Sequence, residues 1–342
     1  MLIKHSRIPL QHLLTIGILP SFLKKSVYRL KGYKIGKNVS LGIGSVIQGK
    51  QVEIGNNTKI GLFTIIRGRS IKIGRFVTIG STSIIDTERI EIDDDARINE
   101  QVFVGGISTP RSLFKLGKRT IIMQMSFINP TEPVVIGDDT GIGGHCLLFT
   151  HGSWLSQLDG FPVTFAPITL GKNVWLPWRV FIMPGTEIGD NVVIGANSLV
   201  RNKIQSNCLI AGSPAQIIRD SYPPEISKLK KDTIFENIFI DFHEYLVYHG
   251  FVLNKEQIEN GYTLNVKRNN RNHVIFYHNS PSNQTPNSSD NLLIINHNEI
   301  AGNSNFNMIL NLQAKTRKGS SDIGEEFTKF LSRYGIRFSR LD

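Results

Sequence analysis

The chain has 342 residues, 40% of them hydrophobic and 20% charged, a balance that fits a soluble protein of two domains with a sizeable core. Two cysteines in that length argue against a disulfide scaffold and for a reducing compartment. The formal net charge is +11, and it is unevenly spread.

The amino end is basic and greasy at once. No Asp or Glu precedes Glu53, whereas Lys4, Arg7, Lys24, Lys25, Arg29, Lys31 and Lys34 all do. Such an end suits acidic phospholipid, nucleic acid or an anionic cofactor. Leu10 to Leu19 is largely apolar, but it contains Gln11 and His12 and stops at Pro20. It falls short of the roughly 20 apolar residues that span a bilayer. No small-residue cleavage site follows cleanly, so a secretory signal is not expected. Ser21 can cap a helix after Pro20, with Leu23, Val27 and Leu30 on one face and Lys24, Lys25, Arg29 and Lys31 elsewhere. Residues 1–34 are therefore expected to form a basic amphipathic helical segment. Two compatible roles suit it: a cap over the open end of the next domain, and peripheral contact of residues 1–31 with an anionic membrane.

From Ile35 onward, aliphatics recur every six positions. Ile35, Leu41, Ile47 begin the series, Ile54, Ile60, Ile66 and Ile73, Ile79, Ile85 continue it, and Leu170, Leu176, Ile182 and Ile188, Ile194, Val200 close it. Four residues after most of these stands something small or β-branched, such as Val39, Ser45, Thr58, Thr64, Cys146, Val174 and Ser198. Gly and Asx often fall between, as in Ile54-Gly55-Asn56-Asn57, and these tolerate tight corners. Six is not a helical period. It predicts short strands joined by corners, three to a coil of about eighteen residues, with aliphatics stacked in columns inside a parallel β-solenoid.

The repeat breaks twice. Between Ile92 and Ile136 lie 44 residues where two coils need about 36, and Gly105 to Pro133 is expected not to repeat. A second excess falls between Ile136 and Leu170, and assigns Phe149 to Pro167 to a loop that opens at His151. Loops thrown out from a rigid scaffold are where a site is built.

The repeat resembles the bacterial hexapeptide acyltransferases over about residues 35 to 219. The likeness is sharpest in Pro167-Ile168-Thr169-Leu170-Gly171, in Pro184-Gly185-Thr186-Glu187-Ile188-Gly189-Asp190-Asn191, and from Ile194-Gly195-Ala196-Asn197-Ser198 to Ala211-Gly212-Ser213-Pro214-Ala215. These stretches look like the galactoside and maltose acetyltransferase branch and its relatives that decorate surface polysaccharides. The resemblance implies a left-handed parallel β-helix, a homotrimer with sites between neighbouring prisms, and acetyl-CoA as donor. It also implies that His151, in Thr150-His151, is the general base, because the family carries a histidine at the start of this loop. Imidazole can take a proton from a sugar hydroxyl as that hydroxyl attacks a thioester. Matched position by position, the CoA contacts fall on Trp178, Ala196, Arg201, Asn202, Gln216 and Arg219, with Lys203 one place later than the usual lysine. Two departures stand out: the family usually has a small residue where Trp178 stands, and a basic one where Gln216 stands.

Other residues carry weaker signals. Trp154, Asp159 and Phe161 lie in the catalytic loop, where aromatics suit sugar faces, and Asn129 is a candidate acceptor contact. Arg111, Lys115, Lys118 and Arg119 could draw in an anionic acceptor. Cys146 falls in the inward corner register and reads as buried rather than nucleophilic. His145 could join His151 on a metal only with a third ligand, and the other histidines lie outside the solenoid, so no metal is expected.

After Arg219 the hexads stop, and Pro223-Pro224 marks a boundary. Residues 220–342 read as a small α+β domain. Helices are expected at Thr233 to Tyr248 and Ser321 to Tyr334. Strands are expected at Tyr262 to Val266, His273 to Tyr277, Leu292 to Asn296, Phe306 to Leu312 and Ile336 to Phe338, with a loop over Asn279 to Asn291. Together these readings give an acetyl-CoA-dependent O-acetyltransferase of the bacterial cytoplasm, acting on a sugar or polysaccharide and not on nucleic acid. The alternatives are an N-acetyltransferase on an amino sugar, a β-helix metalloprotein resembling carbonic anhydrase, and a silent trimeric scaffold.

Overall fold

The hexads become strands because each inward aliphatic needs a neighbour above and below it. In the computed structural model, which describes residues 9–258, 261–268, 271–278, 290–295 and 306–341, short strands stack into three faces of nine, ten and eight strands. The first face runs from Lys34–Ile35 to Lys203–Ile204, the second from Ser40–Leu41 to Ala215–Asp220, and the third from Val46–Gln48 to Leu199–Val200. Pairing is parallel and in register, so that Ile54 lies on Ile73 and Ile73 on Ile92, and all three are buried. Only the last strand, Ala215–Asp220, turns back antiparallel on Cys208–Gly212. The product is a left-handed parallel β-helix.

The corners carry the predicted Asx chemistry. Asn38, Asn57, Asn173, Asn191 and Asn207 all have positive φ, a conformation that asparagine tolerates better than most residues. The Asn173 amide donates to Asn191 Oδ1 (3.0 Å) and the Asn191 amide to Asn207 Oδ1 (2.8 Å), which ties one corner from coil to coil. Gly55 beside such a corner has no room for a side chain: a Cβ there would lie 2.6 Å from the Gly74 carbonyl carbon.

The first expected break is much shorter than the sequence reading. Leu113–Leu116, Ile121–Ile122 and Phe127–Asn129 form a regular coil, with Leu116 on Ile136, Ile122 on Ile142 and Ile128 on Leu148. Leu116, Ile122 and Ile128 keep the six-residue spacing and even its phase, but residues 106–112 lengthen the step from Val104 to the next coil, which begins its inward column at Leu116. Only that stretch projects.

The amino-terminal segment closes the end of the β-helix, and it does so with polar groups. A first coil has no neighbour on one side, so its N–H and C=O groups lack partners. Helix α1 (Ser21–Leu30) supplies them. Lys24 Nζ donates to Ser45 O (3.0 Å) and Gly42 O (2.6 Å). The Ile47 N–H donates to Tyr28 Oη, the Leu41 N–H to Ser21 Oγ, and Arg29 to Ile35 O. Lys24 and Tyr28 are therefore the buried face of α1, while Leu23 and Leu30 are exposed. Of the apolar face expected from Leu23, Val27 and Leu30, only Val27 packs, half-buried, against the core, and the rest is corrected: a raw sheet edge asks for hydrogen-bonding groups before it asks for hydrocarbon. Ser21 does not cap the helix; its hydroxyl serves the coil instead.

Burial lowers the Lys24 ammonium from its ordinary range to about 8. The folded state thus releases this proton more readily than the unfolded chain, whose lysine titrates near 10.4. Stability should rise as pH climbs between those two values, and the penalty should be fully present below the lower one. Melting temperatures of the wild type and of Lys24→Met, followed from pH 7 to 10, check this. The wild type is expected to gain on the variant with increasing pH, and a constant difference would contradict it.

The chain divides into two compact units, Met1–Pro224 and Glu225–Asp342. Within the second, α2 (Lys228–Tyr248) and α3 (Asp322–Leu331) accompany a seven-stranded mixed sheet. Ser227 and Ser321 cap the two helices by accepting from the Lys230 and Gly324 N–H groups. Phe235, Phe239, Phe242 and Phe327 meet Tyr262 and Leu310 of the sheet in one apolar core. Strands Val252–Ile258 and Thr316–Gly319 were not expected. The final strand is Ser339–Leu341 rather than Ile336 to Phe338. Lys4, His5, Arg7, Asn296, His297 and residues 279–289 of the expected loop lie outside the described residues. No helix among the described residues is long and apolar enough to cross a membrane.

Candidate active site

The second break is a true excursion, anchored where it leaves the prism. Thr150 is fully buried; its hydroxyl donates to Asn129 O (2.8 Å) and accepts from the Glu132 N–H (3.0 Å). Its carbonyl accepts from the Ala166 N–H at the return of the loop (2.9 Å). Between these anchors His151–Gly152 pairs antiparallel with Thr164–Phe165. The His151 ring stacks on Phe165, with centroids 5.5 Å apart and planes within 11°. Its buried Nδ1 has no hydrogen-bond partner among the described residues. The imidazole is thus held by packing and by its backbone.

His151 stands at one end of a groove of about 450 Å³ that Asn129 also lines, within the usual range of ligand sites. Ile84, Asp86, Phe103, Gly105, Ile107 and Phe127 complete most of its wall. Register explains why. Asp86 lies beside Gly105, and Asn129 beside Phe149, so residues far apart in sequence occupy one edge of the third face. Gly105 leaves a gap in that row. Outward phenylalanines stack along the same face: Phe103 on Phe127 (4.8 Å) and Phe127 on Phe149 (5.1 Å). The sequence reading missed all of these except Asn129. The signal that could have found them is the coil-to-coil alignment itself. Asn129 is buried, and its Oδ1 accepts from the Thr131 hydroxyl (2.7 Å), which fixes the amide.

The expected donor positions divide between two edges of the third face. Trp178 and Ala196 share one corner, where the Asn197 N–H donates to Trp178 O (3.1 Å). Gln216 approaches that corner by pairing with Ala211. The Trp178 ring covers Gly144, whose added Cβ would lie 2.5 Å from it, which is how a large residue fits where the family keeps a small one. Arg201 and Asn202 sit on the other edge, in the turn between Leu199–Val200 and Lys203–Ile204. Lys203 is ion-paired with Glu187 (3.4 Å), both side chains well exposed. Arg219 is exposed on the final strand, paired with Leu209. Trp154 and Asp159 are exposed in the loop and do not line the groove.

Three of the cations expected to attract an anionic acceptor are engaged elsewhere. Arg111 binds Glu132 (2.6 Å) and holds its carboxyl below the usual range; Arg119 binds Asp139 (2.6 Å) and Lys115 lies 3.6 Å from Glu91. Cys146 is fully buried, its thiol 3.0 Å from Pro177 O, and burial pushes it up to about 11, which suppresses the thiolate a nucleophile needs. His145 leans toward Trp178 (5.6 Å) on the opposite edge from His151. Among the described residues no cluster of three His, Cys, Asp or Glu side chains could hold a metal.

The pattern of the bacterial transferase hexapeptide (six repeats) matches residues 167–202, the coils that carry Trp178, Ala196, Arg201 and Asn202. Galactoside O-acetyltransferase of Escherichia coli (strain K12) is 52% identical over 90 residues, covering 25% of this chain and 44% of the relative. The putative lipopolysaccharide biosynthesis O-acetyl transferase WbbJ of the same organism is 38% identical over 99 residues, covering 26% and 50%. The chain spans about half the length of these two relatives. The putative colanic acid biosynthesis acetyltransferase WcaF, also of Escherichia coli (strain K12), is 30% identical over 130 residues, covering 32% of this chain and 71% of the relative. With its hexads stacked into a three-sided prism and a relative matched over most of its length, the chain belongs to the hexapeptide-repeat transferase family.

Proposed function

We propose that this protein is an O-acetyltransferase that moves an acetyl group from acetyl-CoA to a hydroxyl of a sugar or polysaccharide. The observation that carries the reading is the placing of His151 and Asn129 in one groove at the base of the inserted loop. The names of relatives, which include a galactoside O-acetyltransferase and a lipopolysaccharide biosynthesis O-acetyl transferase, support a sugar as acceptor.

In this reading the acceptor hydroxyl lies between Asn129 and His151. His151 takes its proton as the oxygen attacks the thioester carbonyl carbon. The tetrahedral intermediate collapses, the C–S bond breaks, and the imidazolium returns the proton to the departing thiolate. An ester and free CoA result, with no acyl-enzyme. Arg201 and Arg219 supply cations for the CoA phosphates, and Trp178 and Ala196 flank the thioester arm. Because these positions occupy two edges of one face, a complete donor site needs a neighbouring prism, and the active form is a homotrimer. In this reading the enzyme works in the cytoplasm.

Incubating the purified chain with acetyl-labelled acetyl-CoA and de-O-acetylated surface polysaccharide of the producing cell tests the reading. Label should enter the polysaccharide and leave again under mild base, as an ester does. Base-stable label would favour an amide, and no transfer at all would defeat the proposal.

A further inference from the structure

We propose that the closed end of the β-helix is a docking surface for an anionic lipid bilayer, formed by an apolar ridge that the capping bonds hold outward. Lys24 and Tyr28 turn into the first coil, so the opposite side of α1 is committed to the outside, and it carries Phe22 and Leu30 (64% and 88% exposed). The turns before it, Leu10–His12 and Leu13–Gly17, expose Leu10, Leu14 and Ile18 at four-residue intervals, each more than 60% exposed. A neighbouring corner extends the ridge. The Gly44 N–H donates to Gly17 O (2.7 Å), and beside that bond Ile43 and Phe63 are also exposed.

Charge selects the occupant. Lys31, Lys34 and Lys37 are exposed around this end, and no Asp or Glu precedes Glu53. A second copy of the same surface would bring two cationic collars together, whereas anionic headgroups neutralise one. The apolar side chains project along successive turns with intervening polar groups, as side chains that enter the headgroup boundary do.

Docking by this end would also fix the height of the site. On the third face the strand Leu147–Phe149, next to His151, is five strands from Val46–Gln48. At about 4.8 Å per strand, His151 stands roughly 24 Å from the docked end. This consequence rests on the acetyltransferase reading: the modified sugar would belong to a glycan that rises well above the headgroups. The docking surface itself does not depend on that reading, since vesicle binding is measured without acetyl-CoA.

Flotation of the full chain on vesicles tests the proposal. Binding to phosphatidylcholine containing about one third phosphatidylglycerol should exceed binding to pure phosphatidylcholine by about tenfold or more, and should weaken in high salt. Leu14→Glu with Ile18→Glu should lower anionic-vesicle affinity by about tenfold or more, with melting and oligomeric state unchanged. Lys31→Gln, Lys34→Gln and Lys37→Gln together should abolish the preference for anionic lipid, and this arm decides the matter if the glutamate variant fails to fold. Wild-type protein that remains unbound, a correctly folded glutamate variant that floats as well as wild type, or a triple variant that keeps the full lipid preference would overturn the proposal. So would a glutamate variant that loses its oligomeric state but keeps its vesicle affinity.

Discussion

Replacing His151 by alanine is expected to lower kcat by about 10² to 10⁴-fold, the usual worth of a positioned general base. The fold should not suffer. The His151–Gly152 strand is held through backbone pairing with Thr164–Phe165 and through the buried Thr150 anchor, neither of which uses the imidazole. Affinity for acetyl-CoA should stay within a few-fold, because the positions proposed for the donor, Trp178, Ala196, Arg201 and Arg219, all follow the loop in later coils and strands. Cys146→Ser should keep its turnover, since the buried thiol is pushed up to about 11 and carries almost no thiolate at neutral pH. Steady-state kinetics with the true acceptor, together with acetyl-CoA titration, separate the two terms. An alanine variant with wild-type kcat would sink the assignment, as would an acetyl adduct on Cys146 that forms and decays at the catalytic rate.

Sequence and structure agree most closely where a local spacing maps directly onto a local shape. Ile54, Ile73 and Ile92 are spaced by one coil, and the prism stacks them in that order. The reading weakened wherever a residue's role depends on a distant neighbour. Arg111 looks like a free cation in sequence, yet it is bound by Glu132, twenty-one residues later. Lys24 looks like a solvent-facing charge, yet the bare edge of the first coil draws it inside. Asp86, Gly105 and Asn129 become one groove wall only through coil-to-coil register, which sets Gly105 beside Asp86 and, across the insertion at 106–112, Ile128 beside Val104. In the second unit no repeat exists to exploit, and the two unexpected strands, Val252–Ile258 and Thr316–Gly319, are largely polar runs whose place is fixed by pairing with their neighbours.

Leu148→Ala should cost about 2–5 kcal/mol of stability, as truncation of a fully buried leucine does. Leu148 is fully buried, stacked between Ile128 and Ile182 in an interior column. A β-helix is held by contacts between adjacent coils, so a void at one coil is not relieved by rearrangement far away. Collapse into the void is also opposed by the in-register strands on either side. Leu147, one residue earlier, points the other way and is 37% exposed; its truncation should change stability by well under 1 kcal/mol. The same strand ends at Phe149 and leads through Thr150 to His151, so the interior cavity should also loosen the proposed base and lower kcat before global unfolding. Urea denaturation of both variants measures the first effect, and kinetics below the transition measures the second. Equal denaturation midpoints for Leu147→Ala and Leu148→Ala would contradict the inward assignment of Leu148, and with it the register that brings His151 to the groove.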